Sequence, residues 1–121
     1  MTIETDNKKI FSLLGLAARG RRVVSGEFMT ERAVKNGSAH LVLVSEEASD
    51  NTRKMFANMC SFDEGPCFLF GSKEQLGHSM GKEMRASLAV TDEGFAKSVI
   101  GYLKDRLPEQ NQHGNLKDME D

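Results

Sequence analysis

Arg19, Arg21, Arg22, Arg32 and Lys35 crowd into the first third of the chain, and Lys82 and Arg85 flank a short segment much further on. Guanidinium and ammonium groups gathered in this way hold phosphate oxygens by charge-assisted hydrogen bonds. From Met1 to Gly37 seven basic residues stand against four acidic ones, a net of +3, so the remainder carries -5 of the overall -2. A basic front on an acidic back can orient a protein on a polyanion whatever its total charge. The competing reading of such a cluster is a solvated face.

Other chemistry has less to stand on. His40, His78 and His113 are scattered, and Cys60 and Cys67 are separated by six residues with no CxxC or Cys/His ligand spacing around them. The cysteines read as core filler in a reducing compartment, and no metal site is expected. Glu83, Asp92 and Glu93 could pair for acid/base work, although helix capping explains Asp92 and Glu93 more simply. Gly15 and Gly20 have the spacing of a phosphate loop, but Arg21-Arg22 stand where Lys-Ser/Thr is needed and no strand precedes them. No GxGxxG and no nucleophile elbow occur. No catalytic residue and no cofactor is expected.

The elements that must position the basic residues follow from periodicity and stop signals. With 121 residues the chain reads as one domain, 1–107, followed by a disordered tail, 108–121, that lacks apolar periodicity. Lys8-Lys9 followed by IFSLLGLAA imitates a secretory signal, yet Glu4 and Asp6 precede the lysines and Ser12 interrupts the run. Ile10, Leu13, Leu14 and Ala17 fall at i, i+3, i+4, i+7, one face of an amphipathic helix. That helix is expected to start at an Asp6 or Asn7 cap and stop at Gly20. Arg21 to Val24 reads as a first strand with its arginines at the exposed start, and Ser25-Gly26 to Asn36-Gly37 as a short helix.

Leu41 to Ser45 is an apolar, valine-containing run suited to a central strand. Ser49 or Asp50 caps a third helix with Met55, Phe56 and Met59 inward. Cys67 to Phe70 is a strand, Ser72 and Gln75 have capping-box spacing, and Leu76 and Met80 turn inward from the fourth helix. Ala86 to Val90 is the last strand. Asp92 caps a closing helix whose stripe is Phe95, Val99, Tyr102, Leu103 and Arg106. Helices alternating with short buried strands predict an α/β sandwich on a four-stranded, largely parallel sheet. No run is long enough to span a membrane, and the expected setting is cytoplasmic.

Three stretches carry a resemblance. Gly26-x-x-x-Thr30-x-Arg32-Ala33-Val34-Lys35-x-Gly37, then Ala39-x-Leu41-Val42-Leu43-Val44-Ser45-Glu46-Glu47-Ala48, then Leu76-Gly77-x-x-x-Gly81-x-Glu83 are similar to the kink-turn-binding ribosomal-protein family. The opening KIFSLLGLAARGRRVVSGE and the closing VTDEGFAKSV resemble its bacterial YlxQ-like branch. The similarity runs from about Lys8 to Arg106. It implies a three-layer α/β/α sandwich around a four-stranded mixed sheet. It also implies a non-catalytic RNA-binding role, on rRNA or other kink-turn-like RNA, with the ribosome as a candidate partner, by a monomer.

In that family RNA is gripped by the start of the helix after the first strand and by the loop ahead of the last strand. Here these are Gly26, Glu27, Phe28, Met29 and Arg32, and Gly81 with Lys82, Glu83, Met84 and Arg85; Arg21 and Arg22 extend the same face. An exposed helix N-terminus suits phosphate independently of any resemblance. Lys82 and Arg85 would meet phosphates and Met84 an unstacked base. One departure stands out. The family places Gly-x-Asn-Glu at the helix start, both side chains reading tandem G·A pairs, whereas Phe28 and Met29 occupy those positions here and Arg32 replaces the following Lys. Phe28 is suited to stacking on a base, while Met29 could instead share an inward face with Ala33. The competing functions are a protein-interaction module of the translation or transcription machinery and a substrate-binding part of an RNA-modifying enzyme.

Overall fold

The computed structural model describes residues 2–63 and 65–106. Its elements run α1 (Ile3–Arg19), β1 (Val23–Ser25), α2 (Glu27–Lys35), β2 (Leu41–Val44), α3 (Asp50–Phe62), β3 (Cys67–Leu69), α4 (Lys73–Ser79), β4 (Ser87–Val90) and α5 (Glu93–Leu103). The four strands form one sheet in the order β1-β4-β2-β3. The expected disordered tail, 108–121, lies outside the described residues.

Alternation along the strands divides the core into two layers, because successive side chains leave a strand on opposite faces. Leu41 and Leu43 of β2, with Leu88 and Val90 of β4, pack against Ile10 and Leu14 of α1, Leu76 of α4 and Val99 and Leu103 of α5. Val42 and Val44, with Cys67, Leu69 and Ala89, face Ala33 and Val34 of α2 and Phe56, Ala57 and Cys60 of α3. The result is the expected α/β/α sandwich. Both cysteines are buried free thiols in the second layer.

The caps match the sequence at most helix starts. Ser72 Oγ accepts from Gln75 N while Gln75 reaches back to Ser72 N, a complete capping box. Asp92 Oδ2 accepts from Phe95 N at 2.8 Å, and Ser49 caps α3 through Thr52 N. α1 starts earlier than expected: Thr2, not Asp6 or Asn7, is the cap, its hydroxyl accepting from Thr5 N at 3.1 Å. Glu4 and Asp6 then lie in the first helical turn, where the dipole favours negative charge.

Three further differences concern the strands and helix faces. Arg21 adopts φ 60 in a turn with Gly20, and Arg22 lies outside regular structure, so the first strand starts at Val23. The sheet is mixed, as the resemblance implies, and not largely parallel as the alternation of helices and strands predicts. Only β2 and β3 run parallel, since β4 inserts between β1 and β2 and pairs with each in antiparallel register. On α3 it is Phe56, Ala57 and Cys60 that are fully buried, with Met55 and Met59 partly covered at the margin. Met80, Phe95 and Tyr102 are likewise partly buried beside the first core layer.

Candidate nucleic-acid interface

β4 determines where the two predicted binding elements meet. Its first residue, Ser87, accepts at its carbonyl from Gly26 N at 3.0 Å. Its hydroxyl lies 3.5 Å from that of Thr30, both residues being fully buried. The start of α2 is therefore fastened to the start of β4, and the residues just ahead of Ser87 are those of the second element.

Gly26 is the N-cap of α2 with φ +89, a conformation that glycine adopts without strain, and it has no side chain to close the helix end. The first-turn N–H groups of α2 therefore face outward with no side-chain cap, the arrangement that receives phosphate oxygens. Glu27, Phe28 and Met29 are exposed around this end; Phe28 is 71% and Met29 41% accessible, which answers the question left open for Met29. Arg32 follows on the outer stripe, where Phe28, Glu31, Arg32, Lys35 and Asn36 line an open groove. Lys35 is held by Glu31 at 2.8 Å, whereas the Arg32 side chain has no hydrogen bond or ion pair among the described residues.

The second element is shaped by α4. Lys82 N donates to Gly77 O at 2.9 Å, Gly81 N to His78 O at 3.0 Å, and Arg85 N to Lys73 O at 3.0 Å. Gly77 permits this wrap: a Cβ there would lie 1.5 Å from the Glu83 carbonyl oxygen and 2.5 Å from its carbon. Gly81 takes φ +70 to begin the turn. Lys82, Glu83 and Met84 are exposed, Met84 at 61%, and Arg85 is half-buried. Arg85 Nε donates to Ser25 Oγ at 3.1 Å, a second tie between the loop and the end of β1.

Phe28, Met29 and Met84 are thus large apolar side chains left in solvent beside Arg32 and Lys82. Arg21 and Arg22 do not join them closely. Arg22 O accepts from Thr91 N, at the far end of β4 from Ser87, so the two arginines sit at the opposite end of the edge strand from Arg85. Sequence reasoning gave Ser25, Thr30 and Ser87, three small polar residues with no periodic signal, no part in joining the two elements.

No group of three or more His, Cys, Asp or Glu among the described residues could hold a metal ion. No helix among them is long and apolar enough to cross a membrane.

Residues 8–100 match the model of the ribosomal protein L7Ae/L30e/S12e/Gadd45 family. The chain is 46% identical over 93 residues to RNA-binding protein YlxQ of Bacillus subtilis (strain 168), spanning 77% of this chain and 93% of that one. It is 35% identical over 94 residues to RNA-binding protein YlxQ of Enterococcus faecium, spanning 78% and 90%. Among solved structures, a protein of unknown function from Bacillus halodurans superposes with a TM-score of 0.76 at 36% identity, over 78% of this chain and 95% of that one. The 15.5kD RNA binding protein of Giardia lamblia shares the fold at 17% identity, with a TM-score of 0.68 over 84% and 85%. The chain belongs to the ribosomal protein L7Ae/L30e/S12e/Gadd45 family, in its YlxQ-like branch.

Proposed function

We propose that this protein is a non-catalytic binder of structured RNA, rRNA or another kink-turn-like or bulged RNA, working on or near the ribosome in the cytoplasm. The observation that carries the reading is the junction at Ser87, where an uncapped helix N-terminus and the Gly81–Arg85 loop are held side by side. Relatives at 46% and 35% identity are named for RNA binding, which supports the same conclusion. Arg32 and Lys82 are the cations placed to meet phosphates, with Gly26, Glu27 and Glu83 shaping the backbone around them. Arg21 and Arg22 would reach only an RNA that runs on past the edge strand.

Phe28 and Met29 decide how the RNA is read. Neither side chain can exchange the paired hydrogen bonds by which Asn and Glu would read G·A edges. Each such bidentate contact is worth about 1–3 kcal/mol of discrimination. Phe28, at 71% exposure, offers a ring face on which an unpaired base can stack. The expected ligand is a bent or bulged RNA with an unstacked base, and preference for tandem G·A pairs is weak.

The test titrates one kink-turn RNA and the same RNA with its G·A pairs replaced by Watson–Crick pairs. The two should differ by less than about a hundredfold, the scale of two lost readers. Phe28→Ala should weaken both by roughly 5- to 150-fold, the value of one stacked base. A wider gap between the RNAs, with Phe28→Ala unchanged, would transfer the reading of those pairs to other groups.

A further inference from the structure

We infer that Arg85 is a positioning residue: through Ser25 it fixes the spacing between the two halves of the RNA site and does not itself hold a phosphate. The inference rests on the RNA-binding reading of this face. A guanidinium grips a phosphate best as a fork, with two parallel N–H groups on one ligand. In Arg85 the Nε–H is directed at Ser25 Oγ at 3.1 Å and an Nη1–H at its neighbour's carbonyl, Met84 O, at 3.0 Å. The side chain is half-buried between the loop and the end of β1, whereas Lys82 three residues earlier is exposed.

The location of the tie gives it a consequence. Ser25 immediately precedes Gly26, the cap of α2, and Arg85 follows Met84 and ends the loop. Arg85–Ser25 and Gly26–Ser87 are therefore two crosslinks between the same pair of segments, on adjacent residues of the first and two residues apart on the second. From the other side the Gly77 contact with Glu83 blocks the loop from settling further onto α4. With both directions closed, Lys82 and Met84 are presented at a fixed offset from the N–H groups of α2. A ligand that matches this offset spends nothing on ordering the loop.

The experiment compares Arg85→Lys, Arg85→Gln and Ser25→Ala in the full chain with two readouts. Amide hydrogen exchange of Lys82 and Arg85 without RNA should accelerate about tenfold in all three, the scale of one lost hydrogen bond. Affinity for a bulged RNA should fall by a similar factor in all three. The slope of log affinity against log salt should stay at the wild-type value in Arg85→Gln, since a lost phosphate contact would reduce it by roughly 0.7 to 0.9.

Wild-type exchange in Ser25→Ala and Arg85→Lys would overturn the inference, as would faster exchange with undiminished affinity. So would an Arg85→Lys protein that binds like wild type while Arg85→Gln loses both affinity and slope, because charge alone would then explain the residue. A wild-type protein that binds no RNA would refute the functional reading instead, and the exchange measurements would still decide whether Arg85 holds the loop.

Discussion

Replacing Gly77 with alanine should loosen the loop that carries Lys82 and Met84. The new Cβ would start 1.5 Å from the Glu83 carbonyl oxygen, and real Cβ contacts essentially never fall under 3.0 Å. By difference, the loop or the helix must move by about 1.5 Å, because the opposing atom is backbone and has no rotamer to change. The bonds that hold the wrap, Lys82 N to Gly77 O and Arg85 N to Lys73 O, are 2.9 and 3.0 Å long and do not survive such a shift. Two net hydrogen bonds are worth about 1–3 kcal/mol, and forced overpacking is of the same order. Against this, alanine in a helix interior is favoured over glycine by about 1 kcal/mol. The net expectation is a loss of roughly 1–5 kcal/mol, read from the urea midpoint at unchanged slope, together with about a tenfold or greater loss of RNA affinity. Gly101→Ala is the control: nothing lies within 4 Å of its Cβ on α5, so propensity alone should raise stability. If Gly77→Ala behaves like Gly101→Ala, the close approach at Glu83 is no constraint and the account of the loop fails.

Arg32→Glu should weaken every RNA ligand by a common factor, because phosphate contacts position without selecting sequence, and should lower the salt slope by roughly 0.7 to 0.9. Filter binding of several unrelated RNAs across a salt series checks this, and loss confined to one RNA would make Arg32 a reader. Arg106→Ala removes a guanidinium that lies 5.7 Å from the Phe70 ring centre, donates to Tyr102 O at 3.0 Å and reaches Asn7 Oδ1 at 2.6 Å. Burial pushes this guanidinium below its ordinary pKa, with Asp6 and Glu46 opposing the shift, and it stays charged at neutral pH. Thermal or urea unfolding should show a loss of about 1–3 kcal/mol, with RNA affinity below the transition unchanged.

What the sequence disclosed was whatever depends on neighbours along the chain. Ser72 and Gln75 announce a capping box because both partners lie within one turn, and Asp92 needs only Phe95. The first helix start was misplaced because Thr2-Ile3-Glu4-Thr5-Asp6 offers several cap candidates in succession, and only packing selects among them. The proposed binding elements were read from family resemblance and an exposed helix end. Their shape was not: Gly77 gives no sign in sequence that the Glu83 backbone will lie on it, and Ser25 no sign that a guanidinium 60 residues later will bond to it. The mixed sheet was legible only through the resemblance, and the pattern of elements by itself gave the wrong strand direction for the same reason. Short apolar runs such as Leu41–Val44 and Ser87–Val90 indicate burial, but whether they run together or opposed is decided by pairing across the whole chain.

β4 is among the last elements to leave the ribosome, yet it separates β1 from β2, the first two strands to emerge. Until residues 87–90 exist β1 has no strand partner and β2 has only β3, so the growing chain cannot join its first strand to the rest of the sheet. The same four residues complete the junction to which α2 is fastened. A chain that ends before Ser87 keeps the bonds of the Gly81–Arg85 loop to α4 but lacks those that fasten Gly26 and Thr30 to β4. On the proposed function, the two halves of the site are therefore joined only with the closing of the sheet.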